Sequence, residues 1–457
     1  MWNSHDSLLV IKLVVAIAAI VILVARYKLH PFLALTIGAL GLGLAAPEAP
    51  AELLESFKSG AGDTLGNVGI VLALGTMLGK LLAESGGADQ IATTVIRHSG
   101  RDRLPWAMAL IAMIVGIPLF FEIGVVLLVP IIFTVVRELR AEGKEVSGQT
   151  YLLLGLPALC GLSVLHGLLP PHPGPLIAIG ALDADLGTTL AYGLVIAIPT
   201  VAICGPVFAR FASRWATADP PQALIDQVAK ESKHDNPPSF GLTLFTILLP
   251  VGIMLMRTAA DLAFGEDDKI REWADFIGDP IVALLIAVLV ALVTLGTARG
   301  FRGEQLRDFL TAGLAPAATI LMIIGAGGAF KQVLIDSGIG DSIAKGVETA
   351  GISALLLGWL VAVLIRLATG SATVAITTAA GIMAPIVAKD PSVNGPLLAL
   401  AIGSGSLFLS HVNDAGFWLI NQYFGMSVKD TFKTWSAMET LISCVGMAGV
   451  MILSVIV

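Results

Sequence analysis

Apolar runs that are long enough to cross a lipid bilayer recur along the whole chain of 457 residues. Leu8–Ala25 and Asp279–Ala298 each approach the roughly 20 apolar residues that a membrane-spanning helix needs. Only 13% of the residues are charged and 56% are hydrophobic, whereas a soluble domain carries about 25% charged residues. A β-barrel would show short alternating segments instead. We therefore predict an all-α polytopic membrane protein.

The apolar pattern predicts about ten transmembrane spans plus two re-entrant hairpins. Two long runs, 105–136 and 352–388, are broken in the middle at "GIPLFFE" and "RLATGSAT", which favours two half-helices that enter and leave by one face. The ten predicted spans lie near 8–25, 31–46, 65–83, 151–182 (interrupted), 188–213, 240–264, 279–298, 313–335, 395–424 (interrupted) and 435–457.

The distribution of charge predicts the orientation of the chain. With the N-terminus outside, Lys and Arg concentrate in the cytoplasmic segments, and the acidic clusters "GEDDKIREWAD" and "PEAPAELLE" fall outside. No basic segment precedes Leu8, while Arg26 and Lys28 follow the first apolar run. This order is typical of a retained first span rather than a cleaved signal peptide. Because about ten crossings return the chain to the side on which it starts, we expect both termini outside.

An internal repeat divides the chain. "GKLLAESGGADQIA" (79–92) aligns with "KQVLIDSGIGDSIA" (331–344) at an offset of 252, with six identities in fourteen positions. Each half then holds five crossings and one hairpin, and an odd number of crossings inverts the second half in the membrane. We predict a first inverted repeat over 1–215, a cytoplasmic linker over 216–239 and a second inverted repeat over 240–457, the plan of many secondary transporters.

The chain interrupts its helices at four places within the apolar sequence. "LLPPHPGP" (168–175) cannot continue a helix, because proline lacks the backbone N–H and clashes with the preceding turn. Unwound backbone at membrane depth is tolerated only where protein buries it or where it lines a cavity. We therefore expect 116–124, 166–175, 366–374 and 404–416 to meet at one polar site.

Two ionisable side chains in apolar surroundings are candidates for function. An ionised Glu122 in "IPLFFEIGVV" would be costly, so we expect it to carry a proton and to serve as the proton-coupling site; a structural hydrogen bond to hairpin backbone is the alternative. Arg366 in "AVLIRLATGSAT" stays charged and binds carboxylates in a bidentate manner. Its predicted partner is a substrate carboxylate, with Glu122 or Asp414 as structural alternatives.

Small polar residues follow Arg366 at the second hairpin tip. Their hydroxyls and exposed backbone amides could bind substrate, although small residues also let a tight helical hairpin pack. The residues concerned are Thr369, Gly370, Ser371 and Thr373.

Three histidines, an amide and a carboxylate occupy the two broken spans. Imidazoles titrate near neutrality, and amides and carboxylates form hydrogen bonds with hydroxyl groups, so this set suits a polyol as substrate. A zinc site built from the histidines has enough ligands but no signature spacing, and a purely structural role for each histidine stays open. The residues are His166, His172, His411, Asn413 and Asp414.

Four stretches of the chain resemble the gluconate permease (gluconate:proton symporter) family, within the larger ion transporter superfamily. They are "FFEIGVVLLVPIIF", "LSVLHGLLPPHPGPLIAI", "LIRLATGSATVAITTAAGI" and "GSLFLSHVNDAGFWLINQYFG". The resemblance implies a symporter of the bacterial inner membrane that is driven by protons and carries gluconate or a related sugar acid. It further implies a homodimer embedded in membrane lipid. In the bacterial inner membrane, the termini that the charge distribution predicts outside are periplasmic.

Several alternatives stay open at this point. The same fold could carry D-serine, fructuronate, idonate or another hydroxycarboxylate, or a sodium-coupled organic anion, although the hairpin tips "PLFFE" and "TGSAT" differ from sodium-coupled relatives. An intramembrane metal hydrolase and a channel are less favoured, because no HExxH or GxSxG motif is present and four breaks suit an occluding site. We expect no cofactor beyond the coupling proton, no enzymatic activity and no nucleic-acid partner.

Overall fold

A computed structural model describes most of the chain. The described residues are 4–46, 49–100, 103–117, 121–141, 143, 146–222, 236–265, 268–339, 342, 353–390, 392–411 and 414–457. Within these ranges all regular structure is helical, as the sequence predicts.

The described helices fall into two sets, one before and one after the stretch 223–235. The first set is α1 Ser4–Ala25, α2 Pro31–Ala45, α3 Pro50–Thr64, α4 Ile70–Glu84, α5 Gly87–Ser99, α6 Leu104–Gly116, α7 Phe121–Ala141, α8 Gly148–Leu168, α9 Pro173–Leu182, α10 Leu186–Ala202 and α11 Phe208–Ala212. The second set is α12 Phe240–Ala263, α13 Lys269–Gly278, α14 Pro280–Ala291, α15 Glu304–Asp336, α16 Ala354–Thr369, α17 Ala372–Lys389, α18 Gly395–Ser406, α19 Ala415–Tyr423, α20 Val428–Thr431 and α21 Ala437–Leu453. Short π-helical turns join some of them at Leu65–Gly69, Ile203–Val207, Leu292–Gly296 and Phe432–Ser436, and Thr297–Arg299 forms a 3₁₀ turn.

The described part of the chain is built to sit in a membrane. Seven helices are long and apolar enough to cross one, and eight if α4 and α5, which meet at 65°, count as a single span. Large apolar side chains such as Val15, Leu364 and Ile452 are more than half exposed on the outer helix faces. Exposed apolar surface on this scale would aggregate in water, whereas lipid tails cover it at no cost.

The predicted number of crossings exceeds the number of single long helices, and the breaks explain the difference. The runs predicted near 65–83 and 313–335 lie within longer helical stretches, 50–84 and α15. The helices α6, α16 and α18 hold 13, 16 and 12 residues. At about 1.5 Å per residue, each falls short of the roughly 30 Å of a bilayer core, as expected of half-helices in hairpins and broken spans.

The predicted breaks coincide with the ends of helices. The chain leaves α8 after Leu168 and resumes as α9 at Pro173, with a cis peptide between Pro170 and Pro171. Helix α16 ends before Gly370, whose φ of +72° suits only glycine well, and α18 is separated from α19 by 407–414. The structure therefore confirms interruptions within 166–175, 366–374 and 404–416; the first hairpin turn at 118–120 lies outside the described residues.

Several features agree with the predicted repeat. Helix α4 ends at Glu84 and α15 ends at Asp336, which are separated by the predicted offset of 252. Each end is followed two residues later by a glycine of positive φ, +73° at Gly86 and +72° at Gly338. The domain boundaries and the inverted orientation stay predictions. Of the linker predicted over 216–239, residues 223–235 lie outside the described ranges.

The two broken spans touch each other backbone to backbone. A methyl group placed on Gly403 of α18 would lie only 1.9 Å from the carbonyl oxygen of Gly167 in α8. Glycine at this crossing lets the two helices approach more closely than any side chain would permit. The contact holds the interruption after α8 beside the interruption after α18.

Candidate functional site

A cavity of about 290 Å³ lies where the helix interruptions meet. This volume is at the lower end of the range for small-molecule sites, about 300 to 1,000 Å³. The lining combines both broken spans, the second hairpin tip and the last helix. Its residues are Val24, Pro31, Phe121, Ser163, His166, Arg366, Thr369, Gly370, Ser371, Ala372, Thr373, Leu407, Asp414, Ala415, Gly416, Trp435 and Glu439.

An ion pair between Arg366 and Asp414 forms the charged centre of the cavity. The Arg366 Nη2 donates to Asp414 Oδ2 at 2.5 Å, and its Nη1 donates to the Gly370 carbonyl at 2.7 Å. The Arg366 side chain is 4% exposed and that of Asp414 is 13% exposed. The third guanidinium group, Nε–H, is buried and has no hydrogen-bond partner within the described ranges. The pair therefore balances both charges, and the buried Nε–H can donate to a further acceptor.

Polar neighbours hold the Asp414 carboxylate in place. Asp414 precedes α19 and caps it, because its Oδ1 accepts the Gly416 amide at 2.8 Å. The Ser410 hydroxyl donates to the other carboxylate oxygen and accepts the Trp435 indole N–H at 2.7 Å. Both carboxylate oxygens of Asp414 therefore accept hydrogen bonds, and these bonds hold the carboxylate in position to pair with Arg366.

The tip between α16 and α17 presents the start of a helix to the cavity. Ser371 caps α17 by accepting the Val374 amide at 3.3 Å, and the Thr369 hydroxyl donates to the Ile365 carbonyl at 2.8 Å. The first amides of a helix have no partner within that helix and carry its positive end. With Thr373 also on the cavity wall, the tip can receive an anion.

The last helix supplies a carboxyl group that the sequence analysis did not select. Glu439 lies in the first turn of α21, lines the cavity and is 1% exposed. The Ser163 side chain of α8 is its hydrogen-bond partner, while its Oε1 has none in the described part of the chain. A signal was present, because Glu439 is the only charged residue in the predicted span 435–457.

The histidines divide between the cavity and the framework around it. His166 lines the cavity, and its ring packs edge-on against His172 with centroids 5.9 Å apart. His172 is 2% exposed and donates from Nε2 to the Gly116 carbonyl at 2.8 Å. His411 likewise donates from Nε2 to the Leu367 carbonyl at 3.1 Å. The predicted contact of the three histidines with substrate stays a prediction.

No group of three His, Cys, Asp or Glu side chains among the described residues is placed to hold a metal ion. His172 and His411 are directed to backbone carbonyls instead of to a common centre. The zinc alternative of the sequence analysis therefore has no geometric support within these ranges.

Two predicted site residues lie partly or wholly outside the described structure. Asn413 is outside the described residues. Glu122 is the second residue of α7, but its side chain is outside them. The neighbouring Phe121 lines the cavity and packs against Trp435 with ring centroids 5.5 Å apart, which brings the start of α7 to the site.

Comparison with known proteins gives a family and close relatives. Residues 8–456 match the family described as GntP family permease. A gluconate permease of Pseudomonas aeruginosa is 53% identical over 99% of each chain. A high-affinity gluconate transporter of Escherichia coli is 41% identical over 97% of this chain and 98% of its own. The Gnt-II system L-idonate transporter of Escherichia coli is 40% identical over 96% of this chain and 98% of its own.

A solved structure shares the fold. The YdaH transporter of Alcanivorax borkumensis, described as having an unusual topology, superposes with a TM-score of 0.65. The match covers 93% of this chain and 97% of that chain at 16% sequence identity, so it speaks for the fold alone.

Proposed function

Because the chain belongs to the GntP family of permeases, we propose that it is a secondary active transporter that carries gluconate or a related sugar acid into the bacterial cell together with protons. The relatives are named permeases and transporters, so the chain is a membrane transporter rather than an enzyme. The choice of substrate and of coupling ion is proposed from the geometry of the cavity.

The single observation that carries the proposal is a buried arginine at the wall of the cavity. Arg366 presents an unsatisfied Nε–H, and the adjacent helix start at Ser371 to Thr373 adds amides and hydroxyls. A substrate carboxylate would accept from these groups, because an anion at a helix start beside a guanidinium is stabilised by both.

The remaining walls suit the hydroxyl groups of a sugar acid. His166, Ser163 and Thr369 can donate or accept hydrogen bonds along the polyol chain. We place His411, Asn413 and Asp414 next to this end of the substrate, as the sequence analysis predicts, with Asp414 acting mainly through Arg366. His172 would act through its ring contact with His166.

Proton coupling, the inverted repeat and a homodimer belong to the proposal as well. The sequence predicts Glu122 as a candidate proton-coupling site and disfavours sodium at the hairpin tips. A repeat is supported by the helix ends at Glu84 and Asp336, and its inversion is predicted from the odd number of crossings in each half. Periplasmic termini follow from the charge distribution.

L-idonate is a second candidate substrate. A relative that is named for its transport is 40% identical to this chain over nearly its whole length. Idonate and gluconate share a carboxylate and a chain of hydroxyls, so the same cavity could receive either.

Radiolabelled gluconate uptake into proteoliposomes tests the proposal. We expect accumulation when the outside is more acidic than the inside, collapse of accumulation when a protonophore is added, and competition by excess idonate but not by D-serine. Uptake that ignores the pH gradient and follows a sodium gradient would contradict proton coupling. Absence of gluconate binding in a thermal-shift panel of sugar acids would contradict the substrate.

A further inference from the structure

We propose that Glu439, rather than Glu122, is the residue that carries the coupled proton. This inference rests on the proposed function, because it assigns a role within a proton-driven transport cycle. It concerns a carboxyl group in α21, a helix that contains none of the four predicted breaks.

The position of Glu439 meets the requirements of a proton carrier. Its side chain is 1% exposed, so water does not solvate a charge there, yet it lines the cavity and can exchange a proton with water or substrate that enters. The Oε1 oxygen of Glu439 has no hydrogen-bond partner in the described ranges. The carboxyl group forms a hydrogen bond with the Ser163 side chain of α8. A buried carboxylate normally has all its oxygens satisfied, so this oxygen has room for a proton.

Charged and titratable groups on several neighbouring elements interact with Glu439. Arg366 attracts its negative charge, Asp414 repels it, and the imidazole of His166 shares the cavity. The thiols of Cys160 on α8 and Cys204 beside α10 lie close enough to interact with it electrostatically. None of these groups forms an ion pair with Glu439 among the described residues.

Charge balance links the proton to the substrate. Arg366 and Asp414 neutralise each other through their hydrogen bond, so an ionised Glu439 gives the cavity one excess negative charge. A substrate carboxylate would bring a second one into a site shielded from water, where like charges repel strongly. A protonated Glu439 removes the repulsion, and the cavity then accepts one anion together with one proton.

The sign of the pH dependence follows from this linkage. Binding requires the proton, so gluconate affinity is highest at acidic pH and falls as pH rises through the titration of Glu439. One linked proton changes the dissociation constant by at most about tenfold per pH unit. Release of the proton on the cytoplasmic side then weakens substrate binding there.

Proton uptake on binding tests the inference directly. Purified protein in weakly buffered detergent is mixed with gluconate, and a pH dye counts the protons taken up per substrate bound. We expect one proton per gluconate for the wild type and none for Glu439→Gln, whose Kd should stay constant with pH. In proteoliposomes, Glu439→Gln should keep gluconate counterflow and lose accumulation driven by the pH gradient. Glu304→Gln, on the exposed start of α15, is the matched control and should behave as wild type.

The outcomes separate the two proposals. If wild-type uptake ignores the pH gradient, the proposed function fails. If wild-type uptake follows the gradient and Glu439→Gln still takes up a proton, the inference fails, and loss of uptake in Glu122→Gln alone would assign the proton to Glu122. If Glu439→Gln does not fold, Glu439→Asp provides the second test. It should keep proton uptake and move the pH midpoint of the gluconate Kd, and an unmoved midpoint overturns the inference.

Discussion

The two broken spans use the same device but build different surroundings. In the first, His172 donates to the Gly116 carbonyl at the end of α6. In the second, His411 donates to the Leu367 carbonyl near the end of α16. Each half therefore ties its broken span to its hairpin through one imidazole. Among the described residues, only the second adds a charged pair, Arg366 with Asp414, at the interruption.

This difference shows that an interrupted helix is not by itself a binding site. The first interruption satisfies its backbone with neutral groups and prolines and buries His172 in an apolar setting. The second interruption holds its charges at the cavity wall. We infer that the first half supplies framework and the second half supplies most of the recognition of an anion.

Removal of Arg366 should produce the largest effect. Arg366→Gln leaves the Asp414 carboxylate buried without its partner, which typically destabilises a protein by about 3–5 kcal/mol. We expect a marked fall in the thermal unfolding temperature and no measurable gluconate uptake.

The matched control is Arg307→Gln, because Arg307 pairs with Glu304 and Asp308 on an exposed surface. Exposed ion pairs contribute little, so stability and uptake should both be retained. If Arg366→Gln transported gluconate at the wild-type rate, the charged pair would be structural and the contrast between the two breaks would lose its functional meaning.

Replacement of the framework histidine should have a smaller effect of a different kind. His172→Asn removes the donor to the Gly116 carbonyl, and an unsatisfied buried carbonyl costs about 1–3 kcal/mol. We expect lower thermal stability with a gluconate KM within about twofold of the wild type.

His166→Asn is the comparison variant, because His166 lines the cavity and should raise KM instead. A large rise in KM for His172→Asn, with stability unchanged, would instead support the substrate-binding role that the sequence predicts for His172. Together the two variants measure how far recognition extends into the first half.

Loss of the cap at the second hairpin tip should have the smallest effect. Ser371→Ala removes the acceptor of the Val374 amide, which typically costs about 1 kcal/mol. Because the tip also faces the cavity, we expect weaker gluconate binding in a titration. Ser427→Ala removes a similar cap before α20, away from the cavity, and should lower stability without changing affinity. Equal affinities in both variants would show that the tip does not contact substrate.

Local sequence rules predicted the interruptions because proline, glycine and capping residues act through their own backbone. The cluster of prolines after Leu168 ends α8 and Gly370 ends α16, so these breaks could be placed from the sequence, whereas a single proline such as Pro157 stays inside its helix. Asp414 was named as one partner for Arg366, and the structure selects it.

The positions of Glu439 and His172 could not be derived in this way. Glu439 lies in the middle of an unbroken apolar stretch, and only the packing of α21 against α8 brings it to the cavity beside Ser163. His172 stands next to three prolines, which favours a site residue, but its ring direction depends on where α6 ends in space. Side-chain direction across helices is a property of tertiary packing, which periodicity does not encode.

The contact between Gly167 and Gly403 sets a mechanical condition on transport. Backbone pressed against backbone leaves no side chain at the crossing that could change rotamer, so a slide of one span along the other would bring larger side chains to a place where only glycine fits. We therefore expect α8 and α18 to move as one body in any displacement that exposes the cavity to the opposite side of the bilayer.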